Sequence, residues 1–201
     1  MRSEVKHTTP LPETPVALSG GPARGSATAP VALVVFSDFD CVFCARFVQH
    51  SEVTLRRYVS SGMLLITFRS LFSDTSHPDA FRLAKAAHCT AAQGKFWEFH
   101  DRLFVLPLSN GPAAMERKAA DIGVDMSAFA ECLRGDDPVQ LDRDLQQAAR
   151  LGLRSTPSLL LGRNSNGQAV AVTDMFVGDV DPSLLAQAID RIVSMHPGAG
   201  Q

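Results

Sequence analysis

The chain predicts an α/β domain laid out as β-α-β, an inserted all-helical subdomain, then β-β-α. Three observations carry that prediction. Two short, continuously apolar stretches, 30–36 and 63–69, flank a segment of helical periodicity. The block from Pro78 to Leu151 carries helical spacing and no strand signal. Strand character then returns as a pair at 158–162 and 168–173, ahead of a final helix. Buried strands show as β-branched, apolar runs of this length, whereas helices repeat their apolar positions every three to four residues.

Residues 1–30 hold prolines at 10, 12, 15, 22 and 30 and glycines at 20, 21 and 25, a density that breaks helices. Residues 1–28 are expected to form a flexible lead-in, in which only 15–18 could add an edge strand. The first buried strand, 30–36, runs into Ser37-Asp38-Phe39-Asp40-Cys41-Val42-Phe43-Cys44, and apolar residues at 44, 47, 48, 55, 58 and 59 then mark a helix from Val42 to Val59. Ser60-Ser61-Gly62 stops it, with Gly62 a natural C-terminal cap. The strand 63–69 follows after a short return, so the two strands should be parallel with a right-handed crossover.

Helices are then expected over 78–93, 96–106, 113–122, 126–133 and 138–151, with glycines at 94, 111, 123 and 135 between them. Residues 163–167 read as a hairpin turn joining the last two strands. The final helix starts near Asp181, an N-cap with Pro182 at its first position, and runs to about Met195. The expected partition is 29–75, the helical insertion 76–152, a second part 153–196, and a tail 197–201.

Length and composition fit one domain with a sizeable core: 201 residues, 45% hydrophobic, 20% charged, formal net charge −2. That balance argues against nucleic acid and a charged membrane surface as partners. No stretch approaches the roughly 18 apolar residues of a membrane span. The opening Met-Arg-Ser-Glu-Val-Lys-His lacks an apolar signal core, which leaves two addresses: the cytosol, or a chain that begins after a removed signal or anchor.

The chemistry concentrates at Cys41 and Cys44, two cysteines where a strand hands over to a helix. Free backbone N–H groups and the helix dipole favour a thiolate at Cys41, and Cys44, one turn in, can close a small disulfide ring. A zinc site would need a second close pair, and Cys89 and Cys132 stand alone. A cysteine hydrolase would use one of the two, and an inert buried pair rarely sits at a helix start. Dithiol–disulfide exchange is the expected chemistry. His77, His88 and His100 lack a companion ligand pair and are expected to cap or pack; Phe96, Trp97 and Phe99 should belong to the helical core, and Arg143 and Asp144 to a solvated helix face.

The order of elements, the run Phe36-Ser37-Asp38-Phe39 before Cys41-x-x-Cys44, Ser155-Thr156-Pro157 ahead of the third strand, and the stretches 93–104 and 152–157 together resemble the DsbA-like thiol-disulfide oxidoreductases over about residues 29–195. That resemblance implies a thioredoxin-like fold with a helical insertion. It implies Cys41 as exposed nucleophile, Cys44 as buried resolving thiol, Pro157 as a cis-proline facing the pair, and Thr156, Val42 and Phe43 as substrate-contacting residues. It further implies no cofactor beyond the redox disulfide and no metal. The implied partners are reduced or misoxidised protein substrates and a membrane reoxidant of DsbB or VKOR type. It also implies a monomer at an extracytoplasmic address in the periplasm or cell envelope, tethered to a membrane through a segment outside this sequence or not at all, with a cytoplasmic location left open. Relatives often carry cysteines in the stretches of Cys89 and Cys132, which could be bridged or be two separate thiols.

Two departures bear on strength. Val42 and Phe43 stand where relatives often have proline and then a histidine or an aromatic; Phe43 fits the aromatic variant but gives the thiolate neither charge nor hydrogen bond. Val35 stands where relatives often hold a buried glutamate, leaving water or Asp38 to serve the resolving thiol. An oxidase is the expected activity; a reductase or isomerase, and a redox sensor or binding module without turnover, are the alternatives.

Overall fold

A computed structural model describes residues 10–72 and 79–195. His77 and the predicted helix start at Pro78 lie outside them. A six-stranded mixed sheet forms the centre, in the order β1-β6-β5-β3-β4-β2. The strands are β1 (Val16–Ala17), β2 (Ala23–Arg24), β3 (Val31–Ser37), β4 (Leu64–Ser70), β5 (Ser158–Ser165) and β6 (Ala169–Val177). The central pair β3 and β4 is parallel, joined by α1 (Val42–Ser60), while β5 pairs antiparallel with β3 and β6 antiparallel with β5. Every residue of β3 and β4 is buried, as largely apolar runs require of strands covered on both faces.

Period-two alternation divides the side chains between two faces. Val31, Leu33 and Val35 share one cluster with Phe47 and Tyr58 of α1 and with Leu185, Ile189 and Ile192 of α7 (Pro182–Ser194). Ala32, Val34 and Phe36 look the other way, toward Ala148 of α6 (Val139–Arg150) and Val16 of β1. Between β4 and β5 the chain makes α2 (Ala80–Ala91), α3 (Phe96–Leu103), α4 (Pro112–Asp121), α5 (Met126–Arg134) and α6. Helices α2 to α5 pack a third cluster of Leu83, Phe99, Met115 and Phe129 that also takes in Phe39, Cys41 and Cys44. The architecture is thus a thioredoxin-like α/β fold with an all-helical insertion. The helical insertion is the wall behind the two cysteines.

The segment ahead of β3 departs from the flexible lead-in expected of it. Val16–Ala17 pairs with β6 as foreseen, but Ala23–Arg24 pairs antiparallel with β4, closing the opposite edge of the sheet. The fastening is Arg69, 1% exposed inside β4, whose Nη2 donates to Ser19 O at 2.9 Å and Nη1 to Phe68 O and Thr67 Oγ1 at 2.9 Å each. Its Nε reaches Asp144 Oδ1 at 3.5 Å. Asp144 is therefore not on a solvated face: it is 2% exposed and accepts from the Ser70 backbone N–H at 2.9 Å and from Gln140 Nε2 at 2.7 Å. Burial pushes the Asp144 carboxyl up, against the pull of these donors and of Arg69. Arg143 beside it is exposed, as expected. An arginine inside a buried strand must find an anion and carbonyl oxygens, and here proline-rich backbone supplies the latter.

Candidate active site

Strand β3 ends at Ser37, and the turn Asp38–Asp40 delivers Cys41 to the N-cap of α1. Asp38 Oδ1 accepts from the Asp40 N–H at 2.8 Å, and Asp38 O accepts from the Cys41 N–H at 3.2 Å, so the turn is fixed by the side chain and carbonyl of Asp38. Phe39 anchors it from the other side, with its ring 5.0 Å from both Phe68 and Phe104. Asn110, buried after α3, donates Nδ2 to Phe39 O at 3.3 Å and to Leu103 O at 3.1 Å, tying the insertion to this turn.

Cys41 occupies the position where a short polar side chain usually caps a helix, and no acidic residue stands in the first turn of α1 to oppose a thiolate. Its pKa is lowered to about 5. The leading cause is the Cys44 thiol, which donates to the Cys41 sulfur; burial works against it, and the Thr156 hydroxyl and the N–H groups of Cys44 and Phe43 add to the lowering. Cys44 moves the opposite way. Burial, then the neighbouring Cys41 sulfur, raise its pKa well above the ordinary thiol value, while Ser37 and the Asp38 backbone pull more weakly downward. Both thiols are free, Cys44 wholly enclosed and Cys41 4% exposed. Cys41 is thus the more accessible of the two but not openly exposed, because Thr156 and its own turn cover it.

Across from the pair, the Thr156–Pro157 peptide is cis, and Thr156 O lies 3.6 Å from Cys41 Sγ. Pro157 is buried, Thr156 half-buried, and β5 begins only at Ser158, so Thr156 stands outside the strand ladder. Val42 and Phe43 are 42% and 53% exposed, and Arg46 lies over the Phe43 ring at 5.6 Å. Val177, 52% exposed, ends β6 opposite Ser158, and Gly178 N–H donates to Pro157 O at 2.8 Å. The structure therefore brings Cys41, Cys44, Thr156 and Pro157 together under an apolar surface. Cys89 and Cys132 are elsewhere: they are bridged, 5.8 Å between Cα atoms, joining α2 to α5. Among the described residues no group of three or more His, Cys, Asp or Glu is placed to hold a metal.

Sequence reasoning passed over Ser37. It is 2% exposed, its Oγ finds no hydrogen-bonding partner within ordinary reach, and yet its hydroxyl lies near enough to Cys44 to favour that thiolate. The signal was available: counting by two from Leu33 and Val35 puts Ser37 on the face that α1 covers. His88 and His100 are both held neutral by burial; His100 packs edge-on against Phe39 and Phe68 with Nδ1 on Asp101 Oδ1 at 2.8 Å. Phe96 and Phe99 are core residues, whereas Trp97 lies between two clusters and donates Nε1 to Ala23 O at 2.9 Å.

Comparison with known proteins agrees with this geometry. The family model described as thioredoxin matches residues 18–175. Wolbachia pipientis alpha-DsbA1 superposes with a TM-score of 0.73 at 18% identity, over 94% of each chain, and Bacillus subtilis BdbD with 0.68 at 18%, over 90% of this chain and all of that one. By sequence, the Na(+)/H(+) antiporter NhaA 1 of Mycolicibacterium gilvum is 32% identical over 148 residues, which are 72% of this chain and 24% of the antiporter. The chain spans about a quarter of the length of the curated relatives it matches. With the match running from before β3 into β6 and with DsbA-like structural neighbours, the chain belongs to the thioredoxin family.

Proposed function

We propose that the chain is a protein thiol-disulfide oxidase whose working bond is a Cys41–Cys44 disulfide. The observation that carries this is the split between the two thiols: Cys41 is lowered to about 5 while Cys44 is raised. A thiolate of a reduced substrate attacks Cys41 Sγ; the Cys41–Cys44 bond breaks and a mixed disulfide forms. Cys44 leaves with the electron pair and takes up a proton, Ser37 and the Asp38 backbone lying beside it. A second substrate thiolate then attacks the substrate sulfur of the mixed disulfide and expels Cys41 as a stable thiolate. The substrate loses two electrons and the protein gains them. A sulfur of low pKa is a good leaving group and stabilises the reduced protein, which sets the direction toward substrate oxidation.

Thr156, Val42, Phe43 and Val177 supply a backbone edge and an apolar surface on which an extended peptide can lie. Turnover requires an electron acceptor for the reduced pair, and a membrane reoxidant of DsbB or VKOR type at an extracytoplasmic site fits that need, with the chain acting as a monomer. No helix among the described residues is long and apolar enough to cross a membrane.

The antiporter relatives favour a second reading, in which the same domain is a redox module serving a larger membrane protein without turnover. Incubation with a reduced, unfolded four-disulfide protein in glutathione buffer separates the two. Catalytic recovery of native disulfides, lost in Cys41→Ser, supports the oxidase; one stoichiometric exchange without turnover supports the module.

A further inference from the structure

A cleft of about 290 Å³ opens between α1, the β2 edge and α3, and neither cysteine nor Thr156 nor Pro157 lines it. Its walls are apolar: Val35 and Ile66 of the sheet, Phe47 and Leu55 of α1, Phe68 of β4 and Trp97 of α3. The volume is near the lower end of the range that small-molecule sites occupy. The charges at its rim are already paired. Arg24 binds Asp101 at 3.1 Å and stacks over Trp97 at 4.5 Å, and Arg56 pairs with Glu52. A charged ligand would find no free counter-ion among these groups, so the cleft selects a neutral one.

His100 adds the specificity. It lines the cleft at 7% exposure, and its Nδ1 is committed to Asp101. Burial acts to raise the Asp101 carboxyl, but His100 and Arg24 outweigh it and hold the group below its usual range, so it accepts and Nδ1 carries the proton. Burial also keeps the ring neutral. Nε2 is therefore a bare lone pair, with no hydrogen bond to any described residue.

We propose that this cleft is a second ligand site, separate from the dithiol, for a neutral phenol: an aromatic body with an apolar tail between Trp97 and Ile66, and one O–H donating to His100 Nε2. The site rests on the cleft and the histidine, not on the oxidase reading.

Trp97 is the chain's single tryptophan, so it reports occupancy directly. The probes are 4-butylphenol and its methyl ether, titrated against the whole protein with excitation selective for indole. The phenol should change Trp97 emission saturably. The ether, which cannot donate, should bind at least about fivefold more weakly, as expected when a buried acceptor goes unpaired. His100→Phe should abolish that difference, and Val59→Phe, which fills the cleft from α1, should abolish binding of both. Alkylating Cys41 should leave the phenol affinity unchanged, which keeps this result independent of any redox activity. The proposal is overturned by any of three results: no saturable change with the phenol, equal affinity for the ether, or undiminished binding in Val59→Phe. The last applies even where His100→Phe does not fold.

Discussion

Cys41 and Cys44 differ by three positions in sequence and sit in opposite electrostatic surroundings. The Cys44 thiol is the largest contributor to the low pKa of Cys41, ahead of the Thr156 hydroxyl. Cys44→Ala should therefore raise the Cys41 pKa from about 5, and Thr156→Val should raise it by less, both followed by thiolate absorbance near the ultraviolet edge. Equal or reversed effects would reassign the stabilising group. The pH dependence follows from the same shift. A folded-state pKa below the unfolded value, roughly 8.5 for a free thiol, stabilises the reduced protein fully above that value, and the contribution is lost as pH falls through about 5. The reduced form's lead in melting temperature over the oxidised form should thus shrink steadily between pH 8 and pH 5. A lead that grows on acidification contradicts the assignment. At this scale the C-x-x-C pair was legible as a local pattern, and the Thr156-Pro157 dipeptide only through the resemblance it helps carry. Asp144 was not, since its partner Arg69 comes from a different element; the strand period placed Ser37 on the face under α1 but not its nearness to Cys44.

Among the elements, α1 and the final helix α7 lie within a residue or two of their predicted bounds, because caps such as Gly62 and Asp181-Pro182 are written locally. Gly62, at φ +73°, takes the left-handed conformation that ends α1. Strand β2 was illegible: two residues in a proline- and glycine-rich stretch carry no periodicity, and only the register against Ile66 and Thr67 defines them. One sign did exist in Arg69, a charge within an apolar run, which required a buried partner somewhere in the chain. Asp144→Ala should leave the Arg69 guanidinium without its anion and cost about 3–5 kcal/mol, read from denaturant midpoints. A loss below about 1 kcal/mol would show that the carbonyl oxygens of Ser19 and Phe68 suffice. The Cys89–Cys132 bridge closes 43 residues across α2 and α5. Replacing both by alanine should lower stability by up to about 4 kcal/mol on the chain-entropy account, while leaving exchange at Cys41 intact. Loss of exchange with stability retained would give the bridge a redox role instead.

In the whole molecule the helical insertion meets the sheet through α6, at Ala148 and the Asp144–Arg69 pair, and again at the turn 38–40 held by Phe39 and Asn110. The order of elements, with a helical insertion between two strand-bearing parts, was legible because each run has its own period. What the order could not give was depth: Cys41 is covered rather than open, and the cleft beside α3 is formed by residues from five elements, β2, β3, α1, β4 and α3. On the proposed reading, this arrangement stabilises the reduced pair and so drives substrate oxidation. The Phe43 side chain adds neither charge nor hydrogen bond to Cys41, leaving only its backbone N–H to help, which tempers that drive. Equilibrating the protein with glutathione and reading the Cys41–Cys44 redox state tests this directly. The expected potential lies between those of thioredoxin and DsbA, about −270 and about −120 mV, with the reduced form melting higher. A potential at or below that of thioredoxin, with the oxidised form melting higher, would contradict it and make the protein a reductase.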